Sequence, residues 1–80
     1  MKVVLIEPFP GRYFAGRGEF ELEAQNLFAL VRSLDVIGPG FADAAGEDAA
    51  IAVDGVMRAD WSAPLDGAQE VLIVPRIAGG

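Results

Sequence analysis

The 80-residue chain contains no cysteine and no histidine, and only one of its six cationic side chains is a lysine. Without cysteine the chain has no disulfide framework, no thiolate nucleophile and no thiol on which to carry sulfur. Without histidine it also lacks the commonest general base and the commonest metal ligand. Any catalysis would have to rest on carboxylates, on arginines or on partner proteins.

Long apolar runs are missing as well. No stretch approaches the ~20 residues of a membrane span, and the start of the chain, Met1–Glu7, is too short for a signal peptide and lacks its cleavage region. The net charge of −6 repels nucleic-acid phosphates and anionic lipids and favours basic protein partners. We therefore expect a cytoplasmic protein that binds neither nucleic acid nor membrane.

The chain has the length of one small domain, and its first half predicts two strands followed by a helix. The first strand runs from Lys2 to about Pro8. The second, Glu19–Glu23, alternates between apolar and acidic residues, so one of its sides faces water. Apolar residues then recur at helical spacing: Leu27, Leu30, Val31 and Leu34. Asn26 is placed to cap this helix, and Gly38 to end it before Pro39.

The second half predicts further short strands. Residues 39–48 indicate a loop, with a possible helical turn at 41–45. Ala50–Val53 and Val56–Met57 indicate a hairpin, because Asp54-Gly55 supplies the positive φ angles of a tight turn. A second turn at 64–68 leads into a final strand at 70–74. In chain order, two strands precede one main helix and further strands follow it. This order indicates an α+β domain with one sheet.

Two of these strands are apolar at every position, Val3–Ile6 and Val71–Val74. One helix covers only one face of a sheet, so the other face of these strands needs a different explanation. One interpretation is an exposed patch that binds another protein. The other is that Phe9, Phe14 and Trp61 fold over that face. The sequence leaves both open.

The end of the chain carries the most specific motif. A turn with Pro64, Leu65, Glu70 and Val71 leads into the last strand, which ends in Pro75 and the sequence Arg76-Ile77-Ala78-Gly79-Gly80. With the order of elements, these residues resemble the ubiquitin-like sulfur carriers, most closely the small subunits of molybdopterin synthase and next the thiamine-pathway carriers. Arg76 departs from the second proline that is usual in the molybdopterin carriers.

The resemblance implies a β-grasp fold, with a mixed sheet on one main helix and the first and last strands side by side at its centre. It divides the chain into a domain, residues 1–75, and a flexible tail, residues 76–80. It implies that the Gly80 carboxylate is adenylated by a ubiquitin-activating-type adenylyltransferase, then converted to a thiocarboxylate by a sulfur donor protein. The sulfur would pass to the pterin precursor in the large subunit of molybdopterin synthase.

In this scheme the chain binds no cofactor, and ATP and magnesium belong to the activating partner. Gly79 gives the tail access to buried sites, because a chain without β-carbons is thin and adopts the most backbone angles. The expected partner-binding residues are Leu72, Val74, Pro75, Arg76, Ile77 and Ala78. The chain would be the non-catalytic subunit of a sulfurtransferase complex. Alternatives are a carrier for thiamine thiazole or another sulfur pathway, a ubiquitin-like modifier, and a binding module.

Overall fold

The computed structural model describes residues 1–76, which form five strands and three helices in a compact α+β arrangement. In chain order these elements are β1 (Lys2–Leu5), α1 (Phe9–Tyr13), β2 (Glu19–Glu21), α2 (Leu27–Ile37), α3 (Phe41–Asp48), β3 (Ala49–Val53), β4 (Val56–Met57) and β5 (Glu70–Pro75). The predicted α+β class is confirmed. The predicted tail residues Ile77, Ala78, Gly79 and Gly80 lie outside the described residues.

The strands form one mixed sheet in the order β2-β1-β5-β3-β4. β1 and β5 are parallel neighbours, with Val3 opposite Val71 and Leu5 opposite Ile73. β2, β3 and β4 pair antiparallel with their neighbours. The two continuous apolar runs of the sequence therefore occupy central strands, each hydrogen-bonded on both sides.

The helix α2 begins and ends where the sequence predicts. The side chain of Asn26 accepts a hydrogen bond from the Ala29 N–H at 2.8 Å, which satisfies one of the free donors of the first turn. Gly38 follows the last turn, and its N–H donates to the Leu34 carbonyl. The four predicted apolar residues of this helix are all buried and pack on the sheet.

The loop predicted for residues 39–48 is largely wrong, because most of this segment is the helix α3, which begins with the possible helical turn at 41–45 and continues to Asp48. Phe41 and Ala45 lie one turn apart and are fully buried, so tertiary packing stabilises this helix although it contains Gly46. The Asp35 carboxylate also accepts hydrogen bonds from the N–H groups of Gly40 and Ala42 at 3.0 and 2.9 Å. These bonds join the end of α2 to the start of α3.

The first strand is shorter than predicted, and the helix α1, which was not predicted, follows it. β1 ends at Leu5, and α1 brings Phe9 and Phe14 into the core against Phe41 with ring centroids 5.6 and 5.2 Å away. The expectation of one main helix is therefore corrected to three helices in the described chain. Phe9 and Phe14 pack on the helical side of the sheet, so they do not cover its other side.

The sheet consequently has two unlike sides. We call the side that packs on the helices the covered face; it contains Val3, Leu5, Ile51, Val71 and Ile73, each at most 3% exposed. We call the opposite side the open face. There, Val4, Leu72 and Val74 are only partly buried, and Ile6 just beyond β1 is 43% exposed.

Candidate functional site

The open face presents an apolar strip that crosses the sheet. The strand register places Val4 beside Leu72, Leu72 beside Ala52, and Ala52 beside Met57. Directly opposed residues of neighbouring strands point to the same side of a sheet, so these side chains form one row. Val74, paired with Ala50, begins a second row toward the end of β5.

One end of the open face is charged. The Nζ atom of Lys2 lies 3.2 Å from Oε1 of Glu19 and 4.0 Å from Oε2 of Glu70, on the two strands that flank β1. The hydrogen bond to Glu19 and the charges of Glu19 and Glu70 raise the pKa of Lys2 above its ordinary value. The apolar strip therefore has a charged border at the start of β1.

The end of β5 is where the described chain leaves the sheet. Pro75 is still in register with Ala49, and the Arg76 N–H donates a hydrogen bond to the Asp48 carbonyl. Pro75 is partly buried, whereas Arg76 is exposed. The backbone at the end of β5 is therefore held by two contacts, one with Ala49 of β3 and one with Asp48 at the end of α3.

Four of the expected partner-binding residues can be placed. Leu72 and Val74 alternate along β5 on the open face, and Pro75 and Arg76 lie at its end. The structure therefore brings together an apolar surface and the start of the tail. Ile77, Ala78, Gly79 and Gly80 lie beyond the described part of the chain.

Several residues of this region were not among the predicted site residues. Met57 joins the open face from β4, and Arg58 and Trp61 follow it in the connection to β5. Trp61 packs edge-to-face on Phe28 of α2, with ring centroids 5.7 Å apart. Only the strand register and the path of this connection bring these residues near the end of β5, and no local spacing indicates it.

The described side chains offer contact surfaces rather than a reactive cluster. Among residues 1–76, no group of three carboxylates comes together as a potential metal site. Asp60 accepts hydrogen bonds from the Ser62 N–H and hydroxyl at 2.9 and 2.5 Å, and these bonds lower the pKa of its carboxyl group. Asp54 accepts bonds from the N–H groups of Gln69 and Glu70, which tie the β3–β4 turn to β5.

No helix in residues 1–76 is both long enough and apolar enough to cross a bilayer. No protein-family model matches the chain, and no curated protein matches it either. Function is therefore inferred from the fold, from the open face and from the sequence of the tail.

Proposed function

We propose that this protein is a β-grasp sulfur carrier of the molybdopterin synthase small-subunit type, with the terminal carboxylate of Gly80 as its reactive group. The observation that carries the proposal is the path of β5. This central strand lies beside β1, has Leu72 and Val74 on the partly exposed open face, and leads directly to the Arg76-to-Gly80 sequence. A docking surface and a reactive end on one strand are what such a carrier needs.

The chemistry uses the polypeptide end and leaves bond making to partners. An α-carboxyl group titrates near ~3.5, so the Gly80 carboxylate is ionised at neutral pH. Its oxygen attacks the α-phosphorus of ATP, pyrophosphate leaves, and an acyl adenylate forms. The terminal sulfur of a persulfide on the donor protein then attacks the acyl carbon and AMP leaves, which gives an acyl disulfide. A thiol of the partner attacks the donor-side sulfur of that disulfide, so that the thiocarboxylate is released and a disulfide remains on the partner. ATP and magnesium are held by the activating partner.

The tail alone is a weak basis for affinity. Residues 77–80 span at most about 13 Å when extended, which reaches from a docked surface into a neighbouring site. Ordering four residues costs about 4–8 kcal/mol of backbone entropy. Burial of the open face under a partner offsets that cost, since apolar surface contributes about 25 cal/mol per Å².

The direct test is the intact mass of the chain after incubation with an activating enzyme, ATP, magnesium and a sulfur donor. We expect replacement of one oxygen of the Gly80 carboxylate by sulfur, and no such change after deletion of Gly80. Absence of this exchange across cognate pterin-pathway and thiamine-pathway partners would contradict the proposal. A modifier or a binding module would retain its partner binding without Gly80.

A second variant tests the docking surface separately from the tail. Leu72→Glu places a charge in the apolar strip and should slow adenylation of Gly80 at least about tenfold, because docking would bury that charge. Val36→Glu is the matched control, since Val36 lies on α2 and is 79% exposed. Equal adenylation rates for the two variants would exclude the open face as the docking surface. Unchanged circular dichroism would show that both variants fold.

A further inference from the structure

A groove of about 580 Å³ lies at the edge of the sheet beside the end of β5. We call it the basic groove and define it by the side chains of Phe28, Met57, Arg58, Trp61 and Arg76, with Asp60 at its wall. Its volume is within the range of ligand-binding clefts. The proposed sulfur chemistry does not use this groove.

Backbone hydrogen bonds hold both walls of the basic groove. The Arg58 N–H donates to the Ile51 carbonyl at 2.9 Å, and the Arg76 N–H donates to the Asp48 carbonyl. On the opposite wall, the Trp61 carbonyl accepts bonds from the Leu27 and Phe28 N–H groups at 3.0 and 3.2 Å, at the start of α2. The backbones at the two arginines and at the aromatic pair are therefore held by hydrogen bonds, so that less backbone entropy is lost on binding.

The charge of the basic groove is opposite to that of the whole protein. It contains two guanidinium groups and one carboxylate, whereas the chain carries a net charge of −6. Neither Arg58 nor Arg76 forms an ion pair with any residue between 1 and 76. The Asp60 carboxylate is engaged by Ser62. Two guanidinium groups are thus available to carboxylates from outside the chain.

The apolar part of the basic groove is also exposed. Phe28 and Met57 are 54% and 60% exposed, and Trp61 is partly buried against Phe28. Aromatic side chains and methionine beside arginines are the composition enriched in protein interfaces. An aliphatic side chain fits against these residues, while a purely anionic ligand leaves them in water.

We propose that the basic groove binds an extended acidic segment of a partner protein, with carboxylates on Arg58 and Arg76 and an apolar side chain against Phe28 and Trp61. The net charge of the whole chain favours basic partners, but the two arginines of the basic groove select an acidic segment. The two surfaces thus select different parts of a partner protein. The open face binds an apolar surface, and the basic groove binds the extended acidic segment. This binding requires neither ATP nor sulfur transfer.

Trp61 gives the experiment a direct reporter, because it is the only tryptophan of the chain. The probe is a short end-blocked peptide of alternating aspartate and leucine, titrated into the full chain while Trp61 emission is recorded. We expect a saturable change that weakens several-fold between about 0.05 and 0.5 M salt. Arg58→Glu and Arg76→Glu should each weaken binding about fivefold, and Phe28→Ala should weaken it as well. Arg12→Glu makes the same charge change on α1 and should leave the affinity unaltered.

Other results would overturn the proposal. One such result is a change in Trp61 emission that does not saturate at millimolar peptide. Another is that a lysine-leucine peptide or polyaspartate binds with the same affinity as the aspartate-leucine peptide. A third is that Arg58→Glu and Arg12→Glu change the affinity for the peptide equally. Tighter binding after amidation of Gly80 would assign the groove to the chain's own carboxylate. Dimerisation of the chain that the peptide reverses would assign it to a second copy. The measurement contains no activating enzyme, so it can fail while the mass change at Gly80 is still observed.

Discussion

The covered face and the open face of the central strands have nearly the same apolar composition but different surroundings. Along β5, Val71 and Ile73 are completely buried, while their neighbours Leu72 and Val74 are only partly so. The first set therefore loses more apolar surface to the core on folding than the second. An uninterrupted apolar strand therefore does not by itself indicate burial on both sides, and the partly exposed side is a candidate for intermolecular contact.

The largest expected effect is a difference between two adjacent residues of β5. Ile73→Ala should lower the free energy of unfolding by about 2–5 kcal/mol, because it leaves a cavity in the core. Leu72→Ala removes a side chain of equal size from the open face and should cost less than about 1 kcal/mol. Guanidinium denaturation of both variants measures the difference. Similar losses would show that the two faces contribute equally to the free energy of unfolding.

A smaller effect is expected from the close contact between helices above the covered face. A β-carbon on Gly38 would meet the Tyr13 carbonyl oxygen and lie 2.8 Å from Cε1 of Phe14. Gly38→Ala should therefore lower the free energy of unfolding by about 1–3 kcal/mol, because α1 or the end of α2 must move.

Gly46 of α3 is the matched control for Gly38, since a β-carbon there meets no atom within 4 Å. Gly46→Ala should be neutral or stabilising by about 0.5–1 kcal/mol, because alanine favours a helix interior. Thermal unfolding of the two variants gives the comparison. A destabilised Gly46→Ala with an unchanged Gly38→Ala would contradict the packing described for the helical side.

The smallest effect concerns the charged end of the open face. Folding raises the pKa of Lys2, so its ion pairs stabilise the protein fully below the ordinary lysine pKa of ~10.4. This contribution is lost as the pH rises through the raised value in the folded state. The wild type should therefore be slightly more stable than Lys2→Met at neutral pH, and the difference should vanish under alkaline conditions.

Denaturant midpoints of these two proteins across the alkaline range measure this effect. High salt should reduce the difference, because the three groups are exposed. A difference that grows with pH would mean that Lys2 stabilises the fold in its neutral form.

Much of the fold follows from local sequence. The spacing of apolar residues and the cap at Asn26 correctly predicted α2. The Asp54-Gly55 pair correctly predicted the hairpin turn, where φ is 48° and 85°. Only the first turn of α3 was predicted, because Phe41 and Ala45 are its only buried residues and the rings that pack on Phe41 come from the distant segment 9–14. The short helix α1 was missed for a similar reason, since packing of Phe9 and Phe14 stabilises it.

The candidate site was predictable only in part. Leu72 and Val74 were identified because an apolar strand beside a single helix leaves one face without cover. Arg58, Trp61 and Phe28 were not identified, because they come from separate elements and have no shared spacing. Trp61 meets Phe28 where its carbonyl accepts hydrogen bonds at the start of α2, and the bond from the Arg58 N–H to the Ile51 carbonyl places Arg58 beside them.

The amino-acid sequence by itself determined the α+β class, the main helix, the tight turns and the absence of cysteine and histidine chemistry. These properties depend on residue type and on periodicities of two or about 3.6 residues. Only the tertiary structure decided which side of β1 and β5 is covered and which arginines stand together. Those outcomes depend on contacts between residues far apart in the chain, for which local spacing carries no information.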